Sequence, residues 1–197
     1  NIMKRKVITT IIEIITINNM EIIMEEMEIE TTMEIKEKGE EIRIGVFKDC
    51  TKLKTIIVDK NNQKYESENG ILFNKDKTDL IQYSIASTAT SYIIPESVTS
   101  IRASAFHNCT ALTKIIVPDS VTSIGEGAFK YCTNLTSITL PFVGSSRTAS
   151  GTYDAVFGYI FGHTSDYEMG ITCQYYTSRS GYYYYIPSSL KTVVITD

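Results

Sequence analysis

The chain has 197 residues and a formal net charge of −4 at pH 7. This length favours a single domain, and the composition, 43% hydrophobic and 21% charged, agrees with a modest soluble one. The small excess of acidic over basic residues gives no reason to expect a nucleic-acid partner.

The first 35 residues differ from the rest of the chain. Ile, Met, Glu and Thr make up almost all of residues 7–35, and neither a helical stripe nor a strict alternation persists. Glu13 interrupts the apolar run and no small-residue cleavage site follows, so the segment is not a signal peptide. It is also too interrupted to span a membrane. We set 1–35 apart as a low-complexity segment and leave open a β-edge, a helix or a misread reading frame.

The first repeated unit lies at residues 47–58, which read Phe-Lys-Asp-Cys-Thr-Lys-Leu-Lys-Thr-Ile-Ile-Val. After it, the pattern is interrupted at about 60–91. Within this stretch two apolar runs, 71–73 and 79–83, flank the polar residues 74–78, and this arrangement predicts a β-hairpin that Gly70 leads into. Tyr92 and Ile94 then fall where later units have Ile and Val, so we expect the repeat to resume there.

Two full units follow with a period of 23 residues. Residues 106–118 read Phe-His-Asn-Cys-Thr-Ala-Leu-Thr-Lys-Ile-Ile-Val-Pro, and residues 129–141 read Phe-Lys-Tyr-Cys-Thr-Asn-Leu-Thr-Ser-Ile-Thr-Leu-Pro. A fixed period of this size predicts a repeat solenoid in which stacked coils bury one another's apolar faces. Ile115 and Val117 are two residues apart and point to one face of a short strand.

A second interruption covers about 142–186 and is rich in Gly, Ser, Thr and Tyr. Tyrosine with small polar residues is typical of adaptable binding surfaces. The simpler interpretation, to which we give more weight, is that the tyrosines pack on the flank of the solenoid. A last partial unit at 186–195 restores the repeat. The start at Asn1 and the end in a repeat strand lead us to expect a fragment of a longer chain.

The repeated pattern resembles the leucine-rich repeats of the BspA-like type, closely over 94–141 and fairly over 42–58. That family has a 23-residue unit of the form IP-x-S-V-T-S-I-G-x-x-A-F-x-x-C-x-x-L-x-x-I-x-(I/L)-P. The resemblance covers roughly 36–197 and does not cover 1–35. It implies a solenoid of mostly β units with one hairpin insertion and one long Tyr-rich insertion. It also implies a surface-exposed or secreted binding protein, often assigned to adhesion, and it brings no catalytic residues.

Catalytic and metal sites have weak support in the sequence. Cys50, Cys109 and Cys132 share one repeat position, so we expect small buried thiols there rather than disulfides. A nucleophilic pair of Cys173 and His163 near Asp154 and Asp166 is conceivable, but any mixed loop offers such a set by chance. The chain has only two histidines and no C-x-x-C, so we expect no zinc site. It has no Gly-rich phosphate loop, H-E-x-x-H or G-x-S-x-G, so we also expect no cofactor and no enzymatic activity.

We predict that the strands 54–58, 92–94, 114–117, 137–140 and 192–195 build one ribbon, and that its outward side chains bind an extended extracellular protein or glycan. The candidate binding residues are Thr55, Ile57, Lys114, Ile116, Ser137, Thr139, Thr192 and Val194 on the ribbon, and Tyr175, Tyr176, Tyr183 and Tyr185 in the Tyr-rich insertion. Two alternatives remain: a structural spacer or stalk that binds nothing, and carbohydrate binding by the Tyr-rich insertion.

Overall fold

The chain forms a β-solenoid in a computed structural model that describes residues 31–35, 42–43, 45–47, 50–164, 172–175 and 181–196. These residues contain no α-helix, and two 3₁₀ helices lie at Tyr153–Ala155 and Phe157–Phe161. In chain order the strands are β1 (Thr31–Ile35), β2 (Leu53–Val58), β3 (Tyr65–Glu68), β4 (Ile71–Asn74), β5 (Asp79–Gln82), β6 (Ser91–Ile93), β7 (Ser100–Ile101), β8 (Lys114–Ile116), β9 (Ser123–Ile124), β10 (Ser137–Leu140), β11 (His163–Thr164), β12 (Thr172–Tyr175), β13 (Gly181–Tyr184) and β14 (Thr192–Ile195).

The coils stack in parallel with the predicted register. Ile115 of β8 lies opposite Tyr92 of β6 and Ile138 of β10. Across the coil, Ile101 of β7 lies opposite Ile124 of β9. The solenoid therefore has a four-stranded sheet, in the order β14-β10-β8-β6, and a five-stranded sheet, in the order β3-β4-β5-β7-β9. The predicted repeat solenoid is confirmed.

Threonine hydroxyls add a second set of bonds between coils. Thr113 Oγ1 donates to the carbonyl of Thr90, and Thr136 Oγ1 donates to the carbonyl of Thr113, both at 2.9 Å. The carbonyl of Thr113 also accepts the backbone N–H of Thr136. The repeat of Thr at this position therefore ties each coil to the previous one through side chain and backbone together.

A column of four aromatic rings fills the interior of the main core. Phe106 stacks on Tyr83 and on Phe129, in each case with ring centroids 5.1 Å apart, and Phe129 contacts Phe161 at 6.4 Å. These four rings are buried. The repeat positions around them are buried as well, and they include Val98, Val121, Cys109, Cys132, Leu112, Leu135, Ile115 and Ile138.

The predicted hairpin is present, and it joins the solenoid wall. β4 and β5 pair antiparallel, while β5 pairs parallel with β7 through Leu80 and Ile101. An ion pair of 2.6 Å between Arg102 Nε and Asp79 fixes the same junction. The backbone N–H of Tyr83 donates to the carbonyl of Ala105, just as the N–H of Phe106, one coil later, donates to the carbonyl of Ala128. The regular coil therefore resumes at Tyr83, which lies inside the span 60–91 that the sequence assigned to the insertion.

The Tyr-rich insertion takes the place of one coil turn. Two carbonyls of its 3₁₀ helix Phe157–Phe161 accept hydrogen bonds from the preceding coil. The N–H of Gly127 donates to the carbonyl of Tyr159, and the N–H of Phe129 donates to the carbonyl of Ile160. Farther along the chain, β14 pairs with β10, and Val193 lies opposite Ile138. The insertion is thus attached to the solenoid by backbone hydrogen bonds at its 3₁₀ helix, and the regular ladder resumes after it at β14.

A strand also forms at the end of the segment that the sequence set apart as 1–35. β1 pairs parallel with β2, with Met33 opposite Ile56 and Ile35 opposite Val58. Met33 and Ile35 are buried in a second apolar cluster with Phe47 and Leu53. Residues 31–35 therefore belong to a β-ladder, which is one of the alternatives left open for this segment. Residues 1–30 lie outside the described part of the chain.

The equivalent thiols of two neighbouring coils are buried. Cys109 and Cys132 are at most 1% exposed, and Cys50 is partly buried. Cys132 Sγ donates to the carbonyl of Phe106 at 3.1 Å. Burial raises the pKa of Cys132 to about 12 and raises the pKa of Cys109 well above its ordinary value, because the thiolate is poorly solvated there.

We predict that Phe129→Ala lowers the free energy of unfolding by about 3–5 kcal/mol, because it leaves a cavity in the middle of the ring column. Chemical denaturation monitored by circular dichroism measures this loss. Val143→Ala, at a position 41% exposed, is the control and should change stability by less than about 0.5 kcal/mol. Equal effects of the two variants would contradict the assignment of the column as the core.

We also predict that iodoacetamide at pH 8 leaves Cys109 and Cys132 unmodified in the folded protein, because the thiol rather than the thiolate is present and both are buried. Peptide mass spectrometry after labelling measures this, and the same reaction in denaturant should modify both residues. Rapid labelling of Cys132 without denaturant would show that the coil opens there.

Candidate functional site

The four-stranded sheet aligns outward side chains in two rows. One row contains Ser91, Lys114, Ser137 and Thr192, and the other contains Ile93, Ile116, Thr139 and Val194, each residue opposite its neighbours in register. Strands in such a sheet are about 4.8 Å apart, so the rows form a continuous strip on one side of the solenoid. Six of the eight predicted ribbon residues lie on this strip.

The exposure of the strip is greatest at its two edges. Ile93 is 66% exposed and Val194 is 44% exposed, whereas Ile116 and Thr139 are partly buried between neighbouring strands. Lys114 is exposed and is the single charged residue of the two rows. The strip is therefore aliphatic and hydroxyl-rich, with little net charge.

The other two ribbon residues, Thr55 and Ile57, are not part of this sheet. The prediction of one five-stranded ribbon is wrong at this point, because β2 pairs with β1 in a separate two-stranded sheet. The hairpin insertion separates β2 from β6 along the chain, and β6 pairs with β8 only among the described strands. Ile57 is 46% exposed and Thr55 is partly buried.

The predicted tyrosines have different positions. Tyr183 and Tyr185 are partly buried, and β13, which contains Tyr183, is the central strand of the three-stranded sheet β11-β13-β12. The backbone of Tyr175 lies in β12 opposite Gly181. The side chain of Tyr175 and the whole of Tyr176 lie outside the described residues. The described positions therefore do not test whether the four tyrosines form one site.

The neighbouring Tyr184 has a structural role. It is fully buried, its hydroxyl donates to the carbonyl of Tyr153, and its ring lies against Gly158. A Cβ at Gly158 would be 2.3 Å from Cγ of Tyr184. These contacts hold the insertion together internally, whereas Tyr159 packs against the main core of the solenoid, as expected for tyrosines on its flank.

An aromatic cluster that the sequence did not predict joins a repeat turn to the insertion. The rings of Tyr131 and Tyr185 are 5.0 Å apart, and Lys130 Nζ lies 5.2 Å and 4.6 Å from their respective centroids. His107, one coil earlier, makes an edge contact with Tyr131 at 5.2 Å. Cation–π contacts of this kind are worth about 0.5–1 kcal/mol each at exposed sites.

Tyr131 has an unfavourable backbone conformation. Its φ is +60°, and Asn108, at the same position of the preceding coil, has φ +63°. Asn adopts this left-handed region readily, whereas a bulky side chain pays about 1–2 kcal/mol. Tyr131 is nevertheless 37% exposed, so burial of the whole ring does not account for its presence. The 23-residue offset from Asn108 is the sequence signal that identifies this position.

A second aromatic group lies on the insertion. Tyr153 contacts Tyr159 and Tyr182 at 5.8 Å and 6.0 Å, and His163 contacts Tyr182 at 5.4 Å. His163 Nδ1 also contacts Glu126. Burial raises the pKa of Tyr159 to about 12. Hydrogen bonds from Ser145 and Thr152 hold the pKa of Asp154 below its ordinary value, so this carboxylate is ionised at neutral pH.

The conceivable nucleophilic pair has an unfavourable arrangement. His163 is in β11 and Cys173 is in β12, and β13 lies between them. Strands two places apart in a sheet are separated by roughly 10 Å. The imidazole of His163 faces Glu126 instead. Asp166 lies outside the described residues, as does the side chain of Cys173.

The described residues contain no cluster of three or more His, Cys, Asp or Glu side chains arranged to hold a metal ion. In the same part of the chain, helices are too short to cross a bilayer.

Comparison with known families identifies the repeat. The model of the BspA type leucine-rich repeat region matches six copies, over residues 13–78 and 82–154. The chain belongs to the BspA-type leucine-rich repeat family. The match begins at residue 13, so it includes part of the segment 1–35 to which the motif resemblance did not extend.

Three solved structures are similar to this chain. A leucine-rich cell surface protein from Faecalibacterium prausnitzii is 25% identical with a TM-score of 0.51, covering 68% of this chain and 41% of that one. The pneumococcal vaccine antigen PcpA is 24% identical with a TM-score of 0.53, covering 57% and 29%. A leucine-rich repeat protein from Eubacterium ventriosum is 28% identical with a TM-score of 0.46, covering 54% and 35%. The chain thus spans less than half the length of each. No curated protein matches the sequence.

We predict that Gly158→Ala destabilises the protein by about 1–3 kcal/mol, because the added methyl group overlaps the ring base of Tyr184. The unfolding free energy should be measured in a double-mutant cycle with Tyr184→Ala. In the Tyr184→Ala background the effect of Gly158→Ala should nearly vanish. An unchanged effect would mean that Gly158 acts through its backbone rather than through this contact.

Proposed function

We propose that this chain is a non-catalytic binding module of a cell-surface or secreted protein, and that it attaches to an extended extracellular protein through its four-stranded sheet. The observation that carries the proposal is the row of Ile93, Ile116, Thr139 and Val194, in register on one exposed strip. Membership of the repeat family and the similarity to a leucine-rich cell surface protein of Faecalibacterium prausnitzii support the location.

The chemistry of the strip favours a protein segment over a small molecule. A small ligand is usually held in a concave pocket that buries most of its surface, whereas the strip is a sheet face with exposed aliphatic groups at both edges. Solenoids bind extended partners because the repeat presents equivalent side chains at regular intervals. Hydroxyl groups of Ser91, Ser137 and Thr192 lie beside the aliphatic row, where they supply hydrogen bonds at its rim.

We predict that Ile93→Glu and Thr139→Lys each weaken partner binding at least about tenfold, because a charge introduced on an aliphatic strip must be desolvated on association. The full chain and the variants should be compared on an array of extracellular-matrix proteins. Ser123→Glu, an exposed position on β9 in the other sheet, is the matched control and should bind as the parent does.

The alternative role, a spacer that holds another part of a longer protein away from the cell, makes the opposite prediction. Well-folded protein that binds nothing on the array would favour the spacer. Binding that survives both strip variants would place the contact elsewhere on the molecule. Circular dichroism of each variant separates loss of binding from loss of fold.

A further inference from the structure

A notch lies on the turn side of the solenoid at the coil of residues 83–89, between the coils before and after it. It has a volume of about 410 Å³ and is lined by Thr51, Ile85, Ala86, Ser87, Asn108, Thr110 and Ala111. The coil at 83–89 has Ala86 and Ala89 where the next coil has Cys109 and Leu112, so its small side chains leave a recess between larger neighbours. The lining combines hydroxyl and amide groups with apolar side chains, and none of the described lining residues is charged.

The aromatic cluster lies one coil away from this notch. Asn108 lines the notch, and its N–H donates to the carbonyl of Lys130 at 2.9 Å. Tyr131 follows Lys130 and reaches back to His107, the neighbour of Asn108. We name the combined surface, which consists of the notch with Tyr131 and Tyr185, the turn groove. It runs along the solenoid axis, on the part of each coil that precedes the strands of the four-stranded sheet.

The two rings of the turn groove are held in place. Lys130 Nζ lies near both ring centroids. A Cβ at Gly162 would be 2.9 Å from Lys130 Cδ, so the Lys130 stem lies close against this glycine. Lys130 is therefore a positioning residue for the rings. The strained backbone of Tyr131 keeps a partly exposed ring where the previous coil has an asparagine.

We propose that the turn groove binds an oligosaccharide along the solenoid axis. One sugar ring occupies the notch, where Ser87, Asn108 and Thr110 offer uncharged donors and acceptors to its hydroxyls. The next sugar stacks its apolar face on Tyr131, as amphipathic aromatic side chains allow. Successive coils are about 4.8 Å apart, which is comparable to the size of a sugar ring. This site is on a different part of the coil from the protein-binding strip and does not depend on it.

Tyr131→Asn provides a test that separates binding from folding. Because Asn108 has the same backbone conformation one coil earlier, Tyr131→Asn relieves the backbone strain at this position. It also removes the contacts of this ring with its aromatic and cationic neighbours, whose contribution to stability is of similar size. The two effects oppose each other, so the variant should melt within a few degrees of the parent. Its affinity for oligosaccharide should fall at least about tenfold. Tyr153→Asn, at an equally exposed tyrosine outside the turn groove, is the control and should bind normally.

A second variant tests the notch. Ala111→Phe fills the recess and should also reduce affinity at least about tenfold, while Ser123→Phe, on β9 across the coil, should not. A glycan array of neutral and acidic oligosaccharides identifies the sugar that binds best to the full chain, and calorimetric titration with that sugar then compares the variants. Ile93→Glu should leave this titration unchanged, so failure here is distinct from failure of the strip proposal.

The expected result is a glycan that loses affinity with Tyr131→Asn and Ala111→Phe and keeps it with both controls. An array without any bound glycan overturns the proposal, as does a glycan whose affinity survives both groove variants. Loss of affinity with Tyr153→Asn alone also overturns the proposal, because it would indicate that the glycan binds at the aromatic group of Tyr153, Tyr159 and Tyr182 instead.

Discussion

The constraint on which the rest of this structure depends is the stacking of one aromatic ring per coil. A single 23-residue unit has too little apolar surface to form a core, so each ring is buried only because the next coil covers it. Phe106 is in contact with rings on both sides. The parallel strands and the threonine hydroxyl bonds hold every coil in register with its neighbour, and this register keeps the rings in contact.

The ring column also takes in a ring from the chain beyond the hairpin and one from the Tyr-rich insertion. After the hairpin, Tyr83 supplies the ring that precedes Phe106, and in the Tyr-rich insertion Phe161 supplies the ring that follows Phe129. The 3₁₀ helix before Phe161 also accepts the backbone N–H groups that a regular coil would accept. The column therefore continues from the regular coils into the Tyr-rich insertion, whereas Phe47, before the hairpin, packs in the second apolar cluster.

The sequence predicts what repeats with a constant offset. The buried positions of Cys109, Leu112 and Ile115 follow from the period alone, and the hairpin follows from its turn residues. Tyr83 lies one 23-residue period before Phe106, but a search for Phe overlooks it. Phe161 is 32 residues after Phe129, so the period does not predict its position. The contact between Tyr131 and Tyr185 depends on how the insertion folds back, which local patterns do not specify. For the same reason, pairing of β2 with β1 rather than with β6 was not predicted.

The division between inside and outside explains how one coil can carry two surfaces. Residues 106–112 turn across the coil and residues 114–116 form its strand, so the turn groove and the strip occupy different parts of the same unit. Interior positions are fixed by the ring column, while outward positions change from coil to coil, as Asn108 and Tyr131 do at equivalent backbone sites. Tyr131 accepts backbone strain that Asn would avoid, and Lys130 orients its ring beside Tyr185. Neither feature is required by the column, and both place a partly exposed ring where the insertion meets the repeat turn.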